Sequence, residues 1–450
     1  MQADPTFPLV AREGGAVIAH RGDARVTVAA YLGDVAALAD RLPAVPCVLN
    51  LCADRYLALV AFGAALSRGI TTLLSADRSA HRQRELAARY PAAAILCDDA
   101  AADRGPLPLV RVRSEGVGRG PNPAIPADLI AAIGFTSGST GEPAAHEKPW
   151  GALVAGARAA ARRFGLDDPS LSPAVIATVP PQHMYGFETT MALPLHGHAA
   201  VTADPYFFPV EVAESLARTA AAGSRRRVLV TTPLQLRAFV AAGMSARPDA
   251  VISATAPLAP ALAAEAEAAW SCPVLEIYGA TEVGSVASRR TLGGEAWTPY
   301  DGVAFRAAGE DTLVTVPGLP EEVPLADNVA LAPDGTFRLL GRRADLVKRG
   351  GKRASLGALN RLLAEVEGVQ DGTFFAPDDL DANPSARLAA FVVAPGRTAA
   401  QIVAALRNRV EAVFLPRPVV LLDALPRDAV GKLSRRRLAA LRDGHGEEAP

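Results

Sequence analysis

One segment of the sequence combines the residue types that bind phosphate. Residues 134–143 read GFTSGSTGEP and contain three glycines and four serines or threonines. Glycine lets the backbone approach an anion closely, and the amides and hydroxyls of a tight loop donate hydrogen bonds to phosphate oxygens. No Gly-Lys-Ser/Thr follows at the spacing of a Walker A loop, which disfavours a generic P-loop NTPase. Taken alone, the composition is also typical of a surface turn.

Three more segments carry groups that could act on a phosphate. Residues 278–282 read YGATE, residues 341–351 read GRRADLVKRGG, and residues 426–433 read PRDAVGKL. They supply an aromatic ring, a hydroxyl, a carboxylate and several cations. Attack of one anion on a polyphosphate depends on cations and oriented hydrogen-bond donors far more than on a base.

The elements that must position these segments alternate between short apolar strands and helices. Apolar runs rich in β-branched residues predict buried strands at 45–51, 94–97, 130–136, 175–179, 228–232, 251–254 and 274–278. Helical stretches lie between them at 57–67, 152–164, 209–222 and 260–270. This alternation predicts an α/β layer fold with parallel sheets.

The character of the sequence changes after about residue 287. Short Gly- and Pro-rich strands at 312–316, 329–331 and 337–340 predict a small β-rich subdomain. We therefore predict a large N-terminal domain over residues 1–341, built of parallel β/α subdomains plus this subdomain. A small, mobile α+β domain over residues 342–450 would follow on a flexible connector.

The smaller domain has its own pattern. It carries 18 Lys and Arg against 13 Asp and Glu, a charge of +5 against −6 for the rest of the chain. A helix beginning at Ser355 is predicted first, with Ser355 as its N-cap. A strand at 388–393, a helix at 399–413 and a strand at 418–422 are predicted after it.

Composition excludes several classes of protein. With 450 residues, 50% of them hydrophobic, and a net charge of −1, the chain is neither disordered nor a general nucleic-acid binder. Its four cysteines form neither a disulfide framework nor a zinc pattern and are expected to be buried thiols. The N-terminus lacks the features of a signal peptide, and the longest apolar run, 56–66, is too short to cross a bilayer. We therefore expect a soluble, cytoplasmic protein.

The four segments, in this order and at these separations, resemble the adenylate-forming enzyme superfamily. That superfamily includes acyl- and aryl-CoA synthetases, nonribosomal adenylation domains and luciferases, and the resemblance covers essentially the whole chain. It implies two half-reactions at one site. A carboxylate attacks the α-phosphorus of ATP to give an acyl-adenylate and pyrophosphate, and a thiol then displaces AMP to form a thioester.

The resemblance also implies roles for individual residues at the nucleotide. Thr281 matches a hydroxyl that binds the α-phosphate, and Glu282 matches the ligand of Mg²⁺, which phosphate oxygens and water would complete. Tyr278 would stack on adenine, unless it is a core aromatic at the end of a strand. The resemblance implies further ATP contacts. They are Thr136, Ser137, Gly138, Ser139, Thr140 and Gly141 at the β- and γ-phosphates, Asp327 at the ribose, Arg342 at the ribose and phosphate, and Gly279.

Lys432 matches the catalytic lysine of the superfamily. On that resemblance it would reach from the smaller domain and bridge the carboxylate and the α-phosphate. In isolation, a lysine in this context is an ordinary solvated side chain. The resemblance places the hinge at Ala344 and Asp345, and the loop of Gly350 and Gly351 would then swing towards the pantetheine arm.

The segment PPQHMYGFE, residues 180–188, resembles the one that lines the acyl pocket. His183 would lie against the substrate carboxylate, and a tyrosine in the wall suits a flat, compact acid with a hydroxyl partner. Alternatively, the apolar residues of this segment are simply core. The pocket residues that the resemblance implies are His183, Met184, Tyr185 and Phe187 on one wall and Ala254, Thr255 and Ala256 on the other.

The sequence departs from the superfamily in two segments. Pro-Lys-Gly usually follows the phosphate loop, but Ala144 and Ala145 follow Pro143 here, and Lys148 is the nearest lysine that could substitute. The usual charged hinge residue, two positions after Arg342, is Ala344.

Residues 351–377 are similar to ligases of xanthomonadin and aryl-polyene pigment clusters, which load hydroxybenzoate-like acids onto an acyl carrier protein. The leading hypothesis is therefore ATP- and Mg²⁺-dependent activation of a small aromatic acid, then transfer to the phosphopantetheine of an acidic carrier protein. Basic residues of the smaller domain (Arg349, Lys352, Arg353 and Arg435–Arg437) would suit such a partner or simply face solvent. The alternatives are an aryl- or medium-chain acyl-CoA synthetase and a catalytically silent scaffold, which Glu282 and Lys432 argue against.

Overall fold

The computed structural model describes residues 5–75, 80–99, 107–116, 118–136, 144–309, 311–342, 346–349, 352–377, 379–380, 383, 386–427, 433 and 435–445. It divides into two compact units. Unit 1 comprises Met1–Ala304 with Val314–Val323, and unit 2 comprises Phe305–Leu313 with Pro324–Pro450. The predicted boundary at residue 341 separates a large domain from a smaller domain that moves as a lid, and it stays a prediction.

The strands of unit 1 are short, and several are buried along their whole length. They are β1 Thr6–Pro8, β2 Val17–Arg21, β3 Ala24–Thr27, β4 Cys47–Asn50, β5 Thr71–Leu73, β6 Ala94–Cys97, β7 Leu109–Arg111, β8 Ala124–Pro126, β9 Ile130–Thr136, β10 Ala144–Pro149, β11 Ala174–Ala177, β12 Ala200–Thr202, β13 Arg227–Thr231, β14 Ala250–Ser253, β15 Val274–Ala280, β16 Gly284–Arg290 and β17 Thr298–Pro299.

The helices of unit 1 follow the strands in the predicted alternation. They are α1 Val28–Ala39, α2 Arg55–Ser67, α3 Ala80–Arg89, α4 Trp150–Phe164, α5 Met184–Phe187, α6 Leu193–His196, α7 Pro209–Ala221, α8 Pro233–Ala241 and α9 Pro260–Trp270. A π-helical turn at Glu188–Ala192 joins α5 to α6. Such turns interrupt the regular ladder and are frequent at functional sites.

Among the described residues, the strands of unit 1 form two large sheets. A six-stranded sheet has the order β10-β9-β5-β4-β6-β7, and a nine-stranded sheet has the order β17-β16-β15-β14-β13-β11-β12-β2-β3. The inner pairs of both sheets are parallel, whereas β9–β10 and β15–β16 are antiparallel. Strands such as β11 and β14 are buried throughout, as parallel strands covered by helices on both faces must be. The predicted α/β fold with parallel sheets is confirmed.

One apolar cluster connects the two sheets of unit 1. It takes residues from β2, β4, β6, β9 and β12 and from the helices α1, α2 and α4. At its centre the ring of Phe62 lies 6.3 Å from the ring of Trp150 and 5.0 Å from that of Phe187. The start of the 184–196 helix is thereby fixed against the core. All four cysteines are buried free thiols, as predicted.

Three strands lie where the chain passes between the units: β18 Ala304–Ala308, β19 Asp311–Thr315 and β20 Val323–Pro324. The remaining elements belong to unit 2. They are β21 Asp327–Leu331, β22 Phe337–Arg342, β23 Leu346–Arg349, β24 Lys352–Ser355, α10 Leu356–Ala364, β25 Asp371–Phe375, β26 Ala389–Val393, α11 Ala399–Arg407, β27 Val419–Leu421 and α12 Arg435–His445.

Unit 2 has the mixed α+β composition that the sequence predicts. Ser355 occupies the N-cap position of α10, but its hydroxyl makes no capping hydrogen bond. The apolar face of α10 packs with residues of β25, β26 and α11 in a separate core. Among the described residues, no helix combines the length and the apolar character that crossing a membrane requires.

Candidate active site

The predicted phosphate loop connects an antiparallel hairpin. Strands β9 and β10 pair with Thr136 opposite Ala144, so the loop between them leaves and re-enters the sheet at adjacent positions. Of the predicted phosphate contacts, Thr136 lies within the described residues. Ser137, Gly138, Ser139, Thr140 and Gly141 lie outside them.

The second motif forms the tight turn between β15 and β16. Thr281 and Glu282 lie in this turn, and the pairing of the two strands shifts register between Tyr278 and Gly279. A Cβ at position 279 would lie only 2.4 Å from the main-chain oxygen of Gly284, so the close crossing requires glycine there. The turn therefore presents one hydroxyl and one carboxylate on a constrained backbone.

The structure brings the hairpin and the turn together, although they belong to different sheets. Gly134 of β9 lies against Thr281, because a Cβ at position 134 would be 2.7 Å from Cγ2 of Thr281. The ammonium of Lys148 on β10 donates to the main-chain oxygen of Glu282, at 2.7 Å. We call the place where the β9–β10 hairpin meets the β15–β16 turn the junction. Around it lie the three residues that the sequence assigned to one nucleotide site: Thr136, Thr281 and Glu282.

Two further side chains of β10 belong to this junction, and burial shifts the pKa of each. Lys148 is 2% exposed, and burial lowers its pKa to about 8 although the carboxylates of Glu188 and Glu282 favour the charged form. Nε2 of His146 lies 2.9 Å from Oγ1 of Thr136. Burial lowers the pKa of His146, which the Glu282 carboxylate partly offsets. The His146 imidazole thus shares a hydrogen bond with the Thr136 hydroxyl, where the predicted phosphate loop begins.

Glu282 is chemically suited to bind Mg²⁺, but one carboxylate does not fill the coordination shell of this ion. Its side chain is partly exposed at the junction, and carboxylate oxygen is what this ion prefers. Across the residues that the structure describes, three or more His, Cys, Asp or Glu side chains nowhere cluster as a protein-built metal site requires. One carboxylate, with phosphate oxygens and water completing the shell, is the usual arrangement for Mg²⁺ in nucleotide enzymes.

Tyr278 is largely packed inside the protein. It is 7% exposed, and its ring lies 5.7 Å from that of Trp297 at an angle of 56°. The guanidinium of Arg289 lies 4.6 Å from the centre of the Trp297 ring. Sequence reasoning missed Trp297, which no motif marks. The packing favours the core-aromatic interpretation of Tyr278, and stacking on adenine stays a prediction.

The predicted acyl-pocket segment also lies mostly within the core. Met184 and Phe187 are buried, in line with the alternative that they are packing residues. His183 caps helix α5, and its Nδ1 accepts a hydrogen bond of 3.3 Å from the amide of Tyr185. The Tyr185 hydroxyl donates to the main-chain oxygen of Ile252 at 2.9 Å, and burial raises the pKa of Tyr185. The fold therefore already uses this hydroxyl, and the role of Tyr185 in the acyl pocket stays a prediction.

The opposite wall carries an unsatisfied group that sequence reasoning did not foresee. Thr255 has φ of +78°, a left-handed conformation that is unfavourable for a β-branched residue. Within the described part of the chain, its buried hydroxyl has no hydrogen-bond partner. Ala254 is buried and Ala256 half-buried beside it. Strain and an unpartnered hydroxyl are frequent at functional sites, and the role of Thr255 in the acyl pocket stays a prediction.

In unit 2, the two predicted ribose contacts lie opposite each other. Asp327 at the start of β21 pairs in register with Arg342 at the end of β22. Lys432 lies outside the described residues, but Arg427 and Leu433, on either side of residues 428–432, form a β-bridge. The Arg427 guanidinium is further held by Asp371 at 2.8 and 3.0 Å. The predicted hinge and pantetheine residues Ala344, Asp345, Gly350 and Gly351 lie outside the described residues too.

Known proteins share both the sequence pattern and the fold. The chain matches the AMP-binding enzyme family over residues 59–314, more than half of its length. A 4-coumarate–CoA ligase of Rhodobacter capsulatus is 30% identical over 289 residues, which are 64% of this chain and 69% of that protein.

Solved structures with low sequence identity have the same architecture. ATP-bound MatB from Rhodopseudomonas palustris superimposes with a TM-score of 0.79 at 20% identity, covering 95% of this chain and 96% of MatB. The O-succinylbenzoate coenzyme A synthetase MenE from Bacillus subtilis, in complex with AMP, gives a TM-score of 0.77 at 17% identity, covering 94% and 95%.

Fold and site together define an α/β enzyme that activates an acid with ATP. The chain belongs to the AMP-binding enzyme family. It is an acid–thiol ligase of the AMP-forming type, and its first half-reaction is ATP-dependent adenylation of a carboxylic acid.

Proposed function

We propose that the enzyme adenylates a small aromatic acid of the hydroxybenzoate type and transfers the acyl group to the phosphopantetheine thiol of an acyl carrier protein. The observation that supports the adenylation chemistry is the junction at which Thr136, Thr281 and Glu282 meet. The aromatic substrate class is supported by relatives whose names specify 4-coumarate and O-succinylbenzoate.

The residues at the junction act by orienting donors and charge rather than by proton transfer. The Thr281 hydroxyl would donate to the α-phosphate as negative charge builds there. A preorganised donor of this kind contributes on the order of 3 kcal/mol to the barrier, since it needs no reorganisation during reaction. Glu282 would hold Mg²⁺, whose contribution is to neutralise charge on the phosphates. Lys432, which lies outside the described residues, is proposed as the cation that bridges the carboxylate and the α-phosphate.

The identity of the aromatic acid is proposed to be decided at Thr255. Its hydroxyl is buried without a partner among the described residues, so it could donate to or accept from a polar group of the acid. An acid with a polar substituent would complete this hydrogen bond, and an acid without one would leave it unmade. Sites built to bond a substrate hydroxyl reject analogues that lack it more strongly than apolar pockets reject an extra group.

The acceptor thiol has two candidates. A carrier protein would need basic residues on unit 2, but the fold uses several of them. Arg349 donates to the main-chain oxygens of Leu380 and Ala386, and Arg435 donates to that of Ala376. The proposal of a carrier protein rests on the similarity of residues 351–377 to pigment-cluster ligases, and free CoA is the second candidate because the relatives are named CoA ligases.

Carboxylate-dependent exchange of pyrophosphate into ATP tests the first half-reaction. Hydroxybenzoates, cinnamates and medium-chain fatty acids would be compared, and we expect the hydroxybenzoates to give the fastest exchange. A preference for fatty acids would refute the aromatic assignment while leaving adenylation intact. Glu282→Gln is the matched control, because it removes the charge and retains the shape.

The acceptor is tested with the acid that gives the fastest exchange. Thioester formation on a phosphopantetheinylated acyl carrier protein would be compared with formation of the acyl-CoA at equal thiol concentration. The proposal expects the carrier protein to have the higher kcat/KM. A higher value for CoA would instead establish an aryl-CoA synthetase.

A further inference from the structure

Lys148 and Glu188 are charged side chains at the junction for which the adenylation chemistry specifies no role. Lys148 comes from strand β10 and Glu188 from the first position of the π-helical turn. Lys148 is the nearest lysine after the loop that lacks Pro-Lys-Gly, so it is the obvious candidate for contacting pyrophosphate. The contacts of the Lys148 ammonium indicate a different role.

The ammonium of Lys148 is bound to the protein and largely removed from water. It is 2% exposed and donates to the main-chain oxygen of Glu282 at 2.7 Å. Burial of a cation costs several kcal/mol, which is tolerated when hydrogen bonds and nearby opposite charge offset it. A cation in this position holds the backbone of the turn.

Glu188 holds the other side of the same turn. Its carboxylate oxygens accept hydrogen bonds from the amide of Ser285 at 3.0 and 3.1 Å and from the Ser285 hydroxyl at 2.5 Å. Gly284 makes this approach possible, because a Cβ there would lie 2.4 Å from Oε1 of Glu188 and the residue has φ of +77°. Burial raises the pKa of Glu188, and the hydrogen bonds from Ser285 and the positive charge of Lys148 oppose that rise.

We propose that Lys148 and Glu188 are positioning residues that fix the turn carrying Thr281 and Glu282, so that Mg²⁺ and the α-phosphate meet a preset geometry. This inference rests on the roles proposed for Thr281 and Glu282. Lys148 acts through the main chain of Glu282, and Glu188 acts through Ser285. Neither touches the reacting atoms.

The test measures ATP binding to the full-length chain by titration calorimetry, once with EDTA and once with Mg²⁺. In Lys148→Met, the gain in ATP affinity that Mg²⁺ produces is expected to fall about 10- to 100-fold, as for residues that orient a metal ligand. Affinity in EDTA is expected to change by less than about threefold, since the variant removes no direct ATP contact. Equal losses with and without Mg²⁺ would overturn the proposal, and so would a wild-type protein with no Mg²⁺-dependent gain.

Arg226→Met is the matched control. Its guanidinium is a partly buried cation that donates to the main-chain oxygens of Phe164 and Asp249, at 2.8 and 3.3 Å. This variant is expected to lower the melting temperature while leaving the Mg²⁺-dependent gain at its wild-type value. A loss of the gain in Arg226→Met as well would mean that general destabilisation explains both, which would refute the positioning role.

Two double variants separate positioning from stability and from direct contact. In Lys148→Met/Glu188→Gln, both charges are removed, so the melting temperature should recover relative to Lys148→Met while the Mg²⁺-dependent gain does not. In Lys148→Met/Glu282→Gln, the loss should equal that of Glu282→Gln alone, because both changes act through one group. If the loss in this double variant instead equalled the product of the two single losses, Lys148 would contact the nucleotide itself.

This experiment is independent of the substrate acid. A wild-type protein that exchanges pyrophosphate with none of the acids would refute the proposed aromatic function. Its Mg²⁺-dependent ATP affinity would still decide whether Lys148 positions the turn.

Discussion

The two sides of the site in unit 1 differ in how their polar groups are satisfied. On the phosphate side, the groups that border the β15–β16 turn are bonded within the protein. Lys148 bonds to the main chain of Glu282, and Glu188 accepts hydrogen bonds from Ser285. These contacts exist before any ligand binds.

The acyl side shows the opposite arrangement. Thr255 has a strained left-handed backbone and a buried hydroxyl that lacks a partner within the described residues. The hydroxyl of the neighbouring Ser253 is buried and unpartnered in the same part of the structure. Tyr185, deeper in the core, is instead satisfied by main-chain oxygens, to which its hydroxyl donates.

This difference corresponds to two tasks of the site. The phosphate side must bind ATP whichever acid is used, whereas the acyl side must bind one particular acid. A donor that is already oriented stabilises developing charge without a cost for reorganisation, which suits the phosphates of ATP. A buried hydroxyl without a partner costs about 1–3 kcal/mol, and a ligand that bonds to it recovers this free energy on binding. Selectivity for the acid is therefore expected to arise on the acyl side.

The largest effect is expected from Thr281→Val on the phosphate side. Valine keeps the contact with Gly134 and removes the hydroxyl, so kcat for pyrophosphate exchange should fall about 100-fold or more. The melting temperature should stay near the wild-type value. Rates are measured by acid-dependent exchange at saturating ATP.

Two variants control for packing at Thr281. Thr281→Ser keeps the hydroxyl and should retain most of the activity. Thr190→Val removes another buried hydroxyl, which bonds to the main-chain oxygen of Gly186 at 2.6 Å, and should affect stability only. If Thr281→Val exchanged pyrophosphate at nearly the wild-type rate, the phosphate side would not act through a preset hydroxyl donor, and the difference between the two sides would be refuted.

A smaller effect with two opposite components is expected from Thr255→Gly. Glycine adopts φ of +78° without strain, so the free energy of unfolding should rise by about 1 kcal/mol. Loss of the hydroxyl should raise KM for the acid about tenfold, the equivalent of one hydrogen bond. Urea unfolding and the KM in pyrophosphate exchange measure the two components.

Thr255→Ser sharpens this result because it keeps the hydroxyl and removes only the branched methyl group. Its KM should match that of the wild type, with a small gain in stability. If Thr255→Gly leaves KM unchanged, the unpartnered hydroxyl has no role in substrate binding and the two sides of the site do not differ in this respect.

The alternation of strands and helices could be predicted because the buried strands are continuous apolar runs. Strands β11 and β14, for example, are buried at every position, and the sequence marks them with β-branched residues. The glycines and hydroxyls of residues 134–143 indicated a candidate phosphate loop, whereas the roles of Thr281 and Glu282 came from the resemblance of four segments to a known superfamily. The signals for the strands and the loop are local, and they depend on residue type alone.

The contacts across the junction could not be predicted, because they depend on how two sheets meet. Lys148 and Glu282 are 134 residues apart, and Glu188 and Ser285 are 97 apart. Nothing in the sequence gives Thr255 a positive φ, since threonine rarely adopts it. Likewise, a tyrosine beside His183 does not reveal that α5 directs its ring towards β13 and β14.

The smallest effect is expected from Tyr185→Phe, and it tests whether the acyl side is correctly described. The Tyr185 hydroxyl bonds to the main-chain oxygen of Ile252 at 2.9 Å, so its loss should lower the free energy of unfolding by about 1 kcal/mol. KM values for hydroxylated and unhydroxylated acids should keep their ratio, because the hydroxyl faces strands rather than substrate. Tyr31→Phe is the matched control, as its buried hydroxyl bonds to the main-chain oxygen of Leu59 at 3.2 Å in another part of the core. A KM that rises only for hydroxylated acids in Tyr185→Phe would mean that this hydroxyl turns to the substrate, and Thr255 would then no longer be the sole polar determinant proposed for the pocket.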